Sequence, residues 1–462
     1  MKTTRLLQFG SMVLLIASFS LSSCKKEGAI ESVPDQESSL SRANTQGFAD
    51  NNMVMYWNDK ANTVLSGPGT PPSQARHFAM IEIAVHDALN SIKPKFETYA
   101  LKNIREKDAN SNAAVASAAY WTIKGLNMPG TNPVDNWYTE SLATIPDGEN
   151  KELGIALGKK SAEAILANRA SDNFAIANQQ LPSPDGVAPG EYRSTIPFSN
   201  EGMPKVKALR QWGTMMTPFV TKSNSQFRPA APYAVSSPEY LADYNEVKSK
   251  GGRVGHNRTA DEDEIGRFWV ERSSMGWNRL ARSIIASKKI DAWRTARLLA
   301  LIHTAMADGI SGCFEAKYHY FYWRPETAIR LGDNDGNANT SGDATWLPSY
   351  TESPNANNPA LNVNTPPIPD YPSAHASFGG AAAEILRLFF ETDKISVDQT
   401  SPITPGITRH YSTLSQAARD NSLSRIYVGF HFRYAALKGE AMGQDIAKYV
   451  FANSFKETGQ DN

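Results

Sequence analysis

The chain has 462 residues, 41% of them hydrophobic and 20% charged, which is enough to bury a sizeable core and long enough for more than one domain. Basic and acidic residues number 47 each, so the formal net charge is zero. With no global field to draw in nucleic acid or acidic lipid, those partners are excluded as an explanation for the surface as a whole.

From the N-terminus, Lys2 and Arg5 precede an apolar run from Met12 to Leu21, followed by Leu-Ser-Ser-Cys. The run is short for a bilayer span and has the anatomy of a signal peptide. The Leu-Ser-Ser-Cys ending resembles a bacterial lipoprotein signal, which implies removal of residues 1–23 and lipidation of Cys24. A plain secretory signal with a chance cysteine is the alternative. Cleavage takes Lys2 and Arg5 and no acid, leaving a formal charge of −2. The expected location is the cell envelope, on the periplasmic or outer-membrane side. Residues 24–46 are polar and aperiodic and read as a flexible tether. Cys313 is then the one remaining cysteine, expected as a small buried apolar residue.

Residues 47–456 read as a single, mostly α-helical domain. Apolar residues recur at helical spacing over 73–92, 113–127 and 151–170. The stretch 259–287 opens with Thr259 and four acids, a strong N-terminal signal. Helices also fit 290–323, 374–391 and 424–454, and Val/Ile/Thr alternation is scarce. Two stretches are loop-like, 174–236 and 326–370. The second is long enough to suggest a functional excursion. Within it "DNDGN" lacks the terminal Glu of an EF-hand loop and reads as a solvated turn.

Charge falls on apolar faces in three places. In "SGCFEAKYHYFYWRP", Lys317 lies seven residues after Ile310 and Arg324 seven after Lys317, nearly two turns each, so both fall on an inward stripe before Pro325 stops the helix. Buried cations need anionic partners, unless both long side chains snorkel or pair with internal acids. In "YPSAHASFGG", Ser373 is placed to cap the next helix, with the Ala374 and His375 amides at its open end, while His375 shares a face with Phe378, Ala382, Ile385 and Phe389. In "SLSRIYVGFHFRYAALKG", Arg425 and His431 are six apart, about 120° around a helix, which does not by itself bring them together.

Taken in order, Lys-x6-Arg-Pro, Pro-Ser-Ala-His and Ser-Arg-x5-His resemble the shared site of vanadium-dependent haloperoxidases and the type-2 phosphatidic acid phosphatase superfamily. The motifs span 317–431, about a quarter of the chain. The upstream "ARHFAMIEIAVHDALNSI" resembles bacterial haloperoxidase-like proteins. The resemblance implies an all-α helical bundle of the haloperoxidase and acid phosphatase type. It also implies an oxyanion held by Lys317, Arg324, Arg425, Ser373 and the Ala374 amide. His431 would be the vanadate ligand, or the nucleophile on phosphorus if phosphate fills the site. His375 would be the acid/base. The implied reaction is oxidation of halide by hydrogen peroxide. The alternatives are hydrolysis of small or lipid phosphate esters through a phosphohistidine, and a noncatalytic surface lipoprotein that binds anions or glycans.

Two positions depart from the pattern. Ala374 replaces the usual glycine before the histidine, keeping the N–H donor. Ala435 stands where the family carries an Asp four residues after the last His, an acid able to orient that ring. Glu271 is a candidate substitute as partner of Arg425 or His431. Five residues before Ser373, on the halide side in the resembled enzymes, stands Ile368, which carries no proton donor and selects no halide.

Overall fold

The computed structural model describes residues 52–459, apart from 68, 129–130, 132, 195–206 and 352–363. The expected signal peptide, Cys24 and the tether lie outside the described residues. Residues Phe48–Asn462 cluster as one unit.

Helices dominate that unit. In chain order they are α1 (Asn52–Leu65), α2 (Pro71–Ile92), α3 (Ser111–Gly125), α4 (Val134–Ala143), α5 (Glu149–Asn168), α6 (Phe174–Ala177), α7 (Trp212–Met215), α8 (Pro238–Gly251), α9 (Ala260–Phe268), α10 (Ser273–Lys288), α11 (Ala292–Tyr320), α12 (Pro325–Arg330), α13 (Ala374–Phe390), α14 (Leu414–Tyr427) and α15 (Arg433–Asn453). Two small antiparallel pairs complete the described residues: β1 (Leu181–Pro182) with β2 (Lys207–Ala208), and β3 (Lys394–Thr400) with β4 (Thr408–Thr413). Among the described residues no helix is long and apolar enough to cross a membrane.

Local chemistry sets several helix starts. Thr70 and Ser73 form a capping box with Pro71 at the first turn of α2, and Thr259 with Glu262 does the same for α9. Asp291, Ser373 and Thr413 cap α11, α13 and α14. The 29-residue α11 is the axis of the unit, packing on α2, α13 and α15. Leu298, Leu299, Leu301 and Ile302 are fully buried along it, each contributing about 1.5–3 kcal/mol of apolar transfer. Helices α13 and α15 pack closely, because small residues let their backbones touch. A Cβ at Gly439 would lie 2.3 Å from the Ser373 carbonyl oxygen, and one at Gly443 2.1 Å from that of Ser377. This contact presses the start of α15 against the capped end of α13.

The structure differs from the sequence expectations mainly where helices stop. The expected helix over 259–287 breaks between Phe268 and Ser273 into α9 and α10. The expected 290–323 helix ends at Tyr320, because Phe321 turns left-handed at φ 51°. Arg324 is therefore not on the stripe of Lys317. It sits extended as the N-cap of α12, and Pro325 begins that helix instead of stopping the previous one. The 424–454 helix divides at Gly429, φ 80°, where a Cβ would lie 2.5 Å from the Gly251 carbonyl.

Helices α1, α4 and α8 and the β3–β4 hairpin were not anticipated. Their polar residues dilute periodicity that is satisfied only once they pack: α1 buries Met53, Val54, Trp57, Ala61, Val64 and Leu65 among its Asn and Lys. The "DNDGN" segment is a largely solvated turn, with Asp333, Asn334 and Gly336 exposed; Asp335 alone turns inward, 4% exposed, and accepts from the Asn337 amide and the Thr340 hydroxyl. Cys313 is a buried free thiol, 3.3 Å from the Pro372 carbonyl that accepts its S–H, and burial pushes its pKa up to about 11.

Candidate active site

Each break just described delivers a group to one place. The last turn of α11 carries Lys317, fully buried, with Nζ donating to the carbonyls of Pro369 at 2.6 Å and Asp370 at 2.8 Å. Burial pushes its ammonium pKa down to about 7. Beyond Phe321 the chain runs extended beside residues 190–192: the Tyr192 amide donates to Phe321 O and the Trp323 amide to Gly190 O. This aims Arg324, 1% exposed, inward. Its Nε donates to Ile368 O at 2.9 Å and its Nη1 to Phe430 O at 2.8 Å, with Nη1 also 3.1 Å from His431 Nε2.

Arg425 arrives from the end of α14. Its Nε donates to Ser424 Oγ at 3.1 Å and Nη2 to Trp269 O at 3.2 Å, a carbonyl exposed by the α9–α10 break. The hairpin supports that break, since Trp269 Nε1 donates to Tyr411 OH at 2.9 Å. After α14 the amides of Phe430 and His431 both turn back onto Arg425 O, at 2.9 and 3.2 Å, so the two residues meet through a tight turn and not through helical spacing.

His431 is 4% exposed and its pKa lies well below the usual imidazole value. Burial is the largest cause, followed by the charges of Arg324, Lys317 and Arg425 and by His375, all within electrostatic reach of the ring. A guanidinium only donates, so Nε2 beside Arg324 carries a lone pair and the ring proton belongs on Nδ1. Nδ1 lies 2.7 Å from Asp370 Oδ1.

His375, half-buried in the first turn of α13, has Nε2 3.1 Å from Glu271 O. A carbonyl only accepts, so Nε2 holds the proton and Nδ1 the lone pair. Burial, then Arg425, depresses its pKa well below the usual value. Ser373, fully buried, caps α13 by accepting from the Ala376 amide, and its own amide donates to Ala435 O at 2.9 Å. Ala374 follows it, half-buried, at the helix end where the first amides have no intrahelical acceptor.

The two subsidiary candidates behave differently from expectation. Glu271 is not the partner of Arg425 or His431: its carboxylate pairs with Arg279 on α10, and what it brings to the site is its backbone carbonyl. The α9–α10 break turns that side chain away while leaving the carbonyl facing His375. Ile368 is half-buried, and its carbonyl accepts from Arg324. Asp370 is the acid the motifs missed. It sits three residues before Ser373 in an aperiodic loop, where the only available signal was an acid next to a motif that lacks one at 435. Asn421, also missed, donates to His375 O at 2.8 Å from α14.

Three buried cations converge with the carboxylate of Asp370 and two uncharged imidazoles. Burying such a set is costly unless an anion completes it. Mixed guanidinium, ammonium, hydroxyl and helix-end donors fit a tetrahedral oxyanion, and the His431 Nε2 lone pair, which faces Arg324, can bind its central atom once that donor turns to an oxygen.

A family model described as the VCPO second helical-bundle domain matches residues 297–458, the segment that carries every one of these groups except Glu271 and Trp269. The vanadium chloroperoxidase of Curvularia inaequalis is 26% identical, covering 83% of this chain and 79% of its own length. The first bacterial vanadium-dependent iodoperoxidase structure aligns with a TM-score of 0.70 at 22% identity, over 89% of this chain and 100% of that one. A holo-type bacterial vanadium-dependent chloroperoxidase aligns with a TM-score of 0.62 at 15% identity, over 89% and 96%. Fold and sequence together make this chain similar to the vanadium haloperoxidases, over the helical-bundle segment 297–458 by family model and over most of its length by fold. The relatives above stand at 26% identity or less, a distance over which the fold is shared and the halide is not carried across. All of them are haloperoxidases, so the phosphatase alternative is not favoured.

Proposed function

We propose that this protein is a vanadate-dependent haloperoxidase-like enzyme that oxidises halide with hydrogen peroxide. The observation that supports the reading most is the ring of Lys317, Arg324 and Arg425 around an uncharged His431 whose Nε2 faces the cations. Bound vanadate would supply a Lewis-acid centre that polarises hydrogen peroxide towards attack by halide.

The protein's own groups do the rest. His431 Nε2 would hold the central atom. Lys317 and the two arginines would neutralise the oxygens, and an anion beside Lys317 would restore the charge that burial weakens. Ser373 Oγ and the Ala374 amide would fix the remaining oxygens at the start of α13. His375, uncharged and with Nε2–H held on the Glu271 carbonyl, has Nδ1 available to accept a proton as peroxide binds.

Vanadate titration followed by heat, together with peroxide-dependent oxidation of iodide, bromide and chloride, tests the reading. Activity that appears on vanadate loading and vanishes in His431→Ala supports it. Equal activity in that variant would overturn it. Phosphate-ester hydrolysis without vanadium, absent oxidation of any halide, would favour the phosphatase chemistry instead.

Export and anchoring through Cys24 belong to the same proposal and rest on the sequence alone. A Cys24→Ala chain would leave the membrane fraction if they hold.

A further inference from the structure

We propose that Asp370 is the positioning residue of His431, holding from the loop before α13 the ring nitrogen that an acid at position 435 would hold from α15. The inference rests on the function proposed above for the meaning of His431 as a ligand, though not for the contact itself. Asp370 Oδ1 lies 2.7 Å from His431 Nδ1, a close approach not aligned as a hydrogen bond, between buried side chains at 1% and 5% exposure, and neither atom has a hydrogen-bond partner elsewhere among the described residues. Asp370 is fixed independently of its carboxylate: its amide donates to Tyr322 O at 2.9 Å and its carbonyl accepts from Lys317 Nζ at 2.8 Å. The oxyanion-facing ammonium and the carboxylate behind the imidazole therefore hang on the same residue.

Position 435 explains why the acid stands in the loop. Ala435 is 1% exposed and lines the same small aromatic cleft as Asp370, walled by Tyr322, Tyr371, Phe432 and Tyr434. Asp243 already lines this cleft beside Asp370, so an acid at 435 in addition would bring a third like charge into a dry pocket. The acid and the alanine are thus a matched pair, and moving the acid from 370 to 435 should preserve the contact while changing which segment supplies it. The carboxylate favours the tautomer with the proton on Nδ1, which leaves the Nε2 lone pair towards the cations.

The test compares the unsubstituted chain with Asp370→Asn, Asp370→Ala and the exchange Asp370→Ala with Ala435→Asp, each checked for folding by its melting transition. Imidazole ¹⁵N shifts of His431 in vanadate-free protein read the tautomer, and calorimetry with orthovanadate reads affinity. The expected result is an Nδ1–H ring in the unsubstituted chain, a mixed tautomer in Asp370→Ala, where Arg324 beside Nε2 is left as the one group favouring Nδ1–H, and vanadate binding weakened about 10- to 100-fold. Asp370→Asn, which keeps the volume and both backbone bonds, should show the same tautomer change, and the exchange should recover most of the lost affinity. An unchanged tautomer in both single variants, or an exchange no better than Asp370→Ala, would overturn the proposal. Failure of the unsubstituted chain to bind vanadate would instead overturn the proposed function, with the ¹⁵N shifts still deciding the role of Asp370.

Discussion

Two regions of this protein bury charge with equal thoroughness and to opposite effect. Around α2, which is buried from Pro72 to Ile92, charge is closed off by protein partners. Asp87 accepts three amides, those of Tyr99, Ala100 and Leu101, at 2.6–2.9 Å. Arg76 and Arg169 share Asp172 at 2.7 and 3.0 Å. Glu82 is held by Asn58, which also meets Asn278, and Asn278 in turn meets His303. In the cup at the ends of α11, α13 and α14, Lys317 and Arg324 donate to backbone carbonyls, which stabilise a cation but do not cancel its charge. Burial alone does not mark a functional site; burial of three cations around the single carboxylate of Asp370 does.

The contrast breaks most visibly if cup residues prove structural. Lys317→Met, which keeps the volume, should weaken vanadate binding by roughly 1,000-fold, about 4 kcal/mol, while the melting temperature stays level or rises, because a buried ammonium is costly without its anion. Calorimetry and thermal melting read both, and a melting temperature well below the parent's would place Lys317 with the structural charges.

Asp87→Ala should do the reverse. Three stranded amides would cost about 3 kcal/mol of stability, read by urea unfolding, with vanadate affinity of the folded protein unchanged.

Glu82 sharpens the comparison through pH. Burial raises its carboxyl pKa to about 7, well above its unfolded value, so the folded state keeps a proton that the unfolded chain has released between about pH 4.5 and 7. Its contribution is full below pH 4.5 and is lost as pH rises through 7. Glu82→Gln should remove about 2 kcal/mol of stability change between pH 5 and 7 and leave halide oxidation alone. An identical pH–stability slope in that variant would show that Glu82 is ionised and paired.

The least selective effect belongs to the helix contact beneath the cup, where stability and affinity move together. Gly443→Ala places a methyl against Ser377 O and should cost about 1–3 kcal/mol, with a modest loss of vanadate affinity as α15 moves from α13. Unaltered melting would mean that the pair has slack.

Much of the site was legible in residue order. Three short motifs named Lys317, Arg324, Ser373, Ala374, His375, Arg425 and His431, because each is a side-chain chemistry at a spacing. The all-α character was equally legible, since periodic Ala, Leu and Ile over long windows needs no partner to be recognised.

What escaped was whatever depends on where a helix stops. Residue spacing put Lys317 and Arg324 on one stripe and left Arg425 and His431 on different faces. The left-handed turn at Phe321 and the break at Gly429 carry Arg324 and His431 to their places instead. Glu271 attracted notice as an acid and contributes a carbonyl. Asp370 attracted none, although it lies 2.7 Å from His431. The sequence by itself therefore determined which chemical groups the protein owns and that helices would carry them. Only the tertiary structure decided which backbone carbonyls and which carboxylate meet those groups, because such contacts join segments far apart in the chain and leave no periodicity behind.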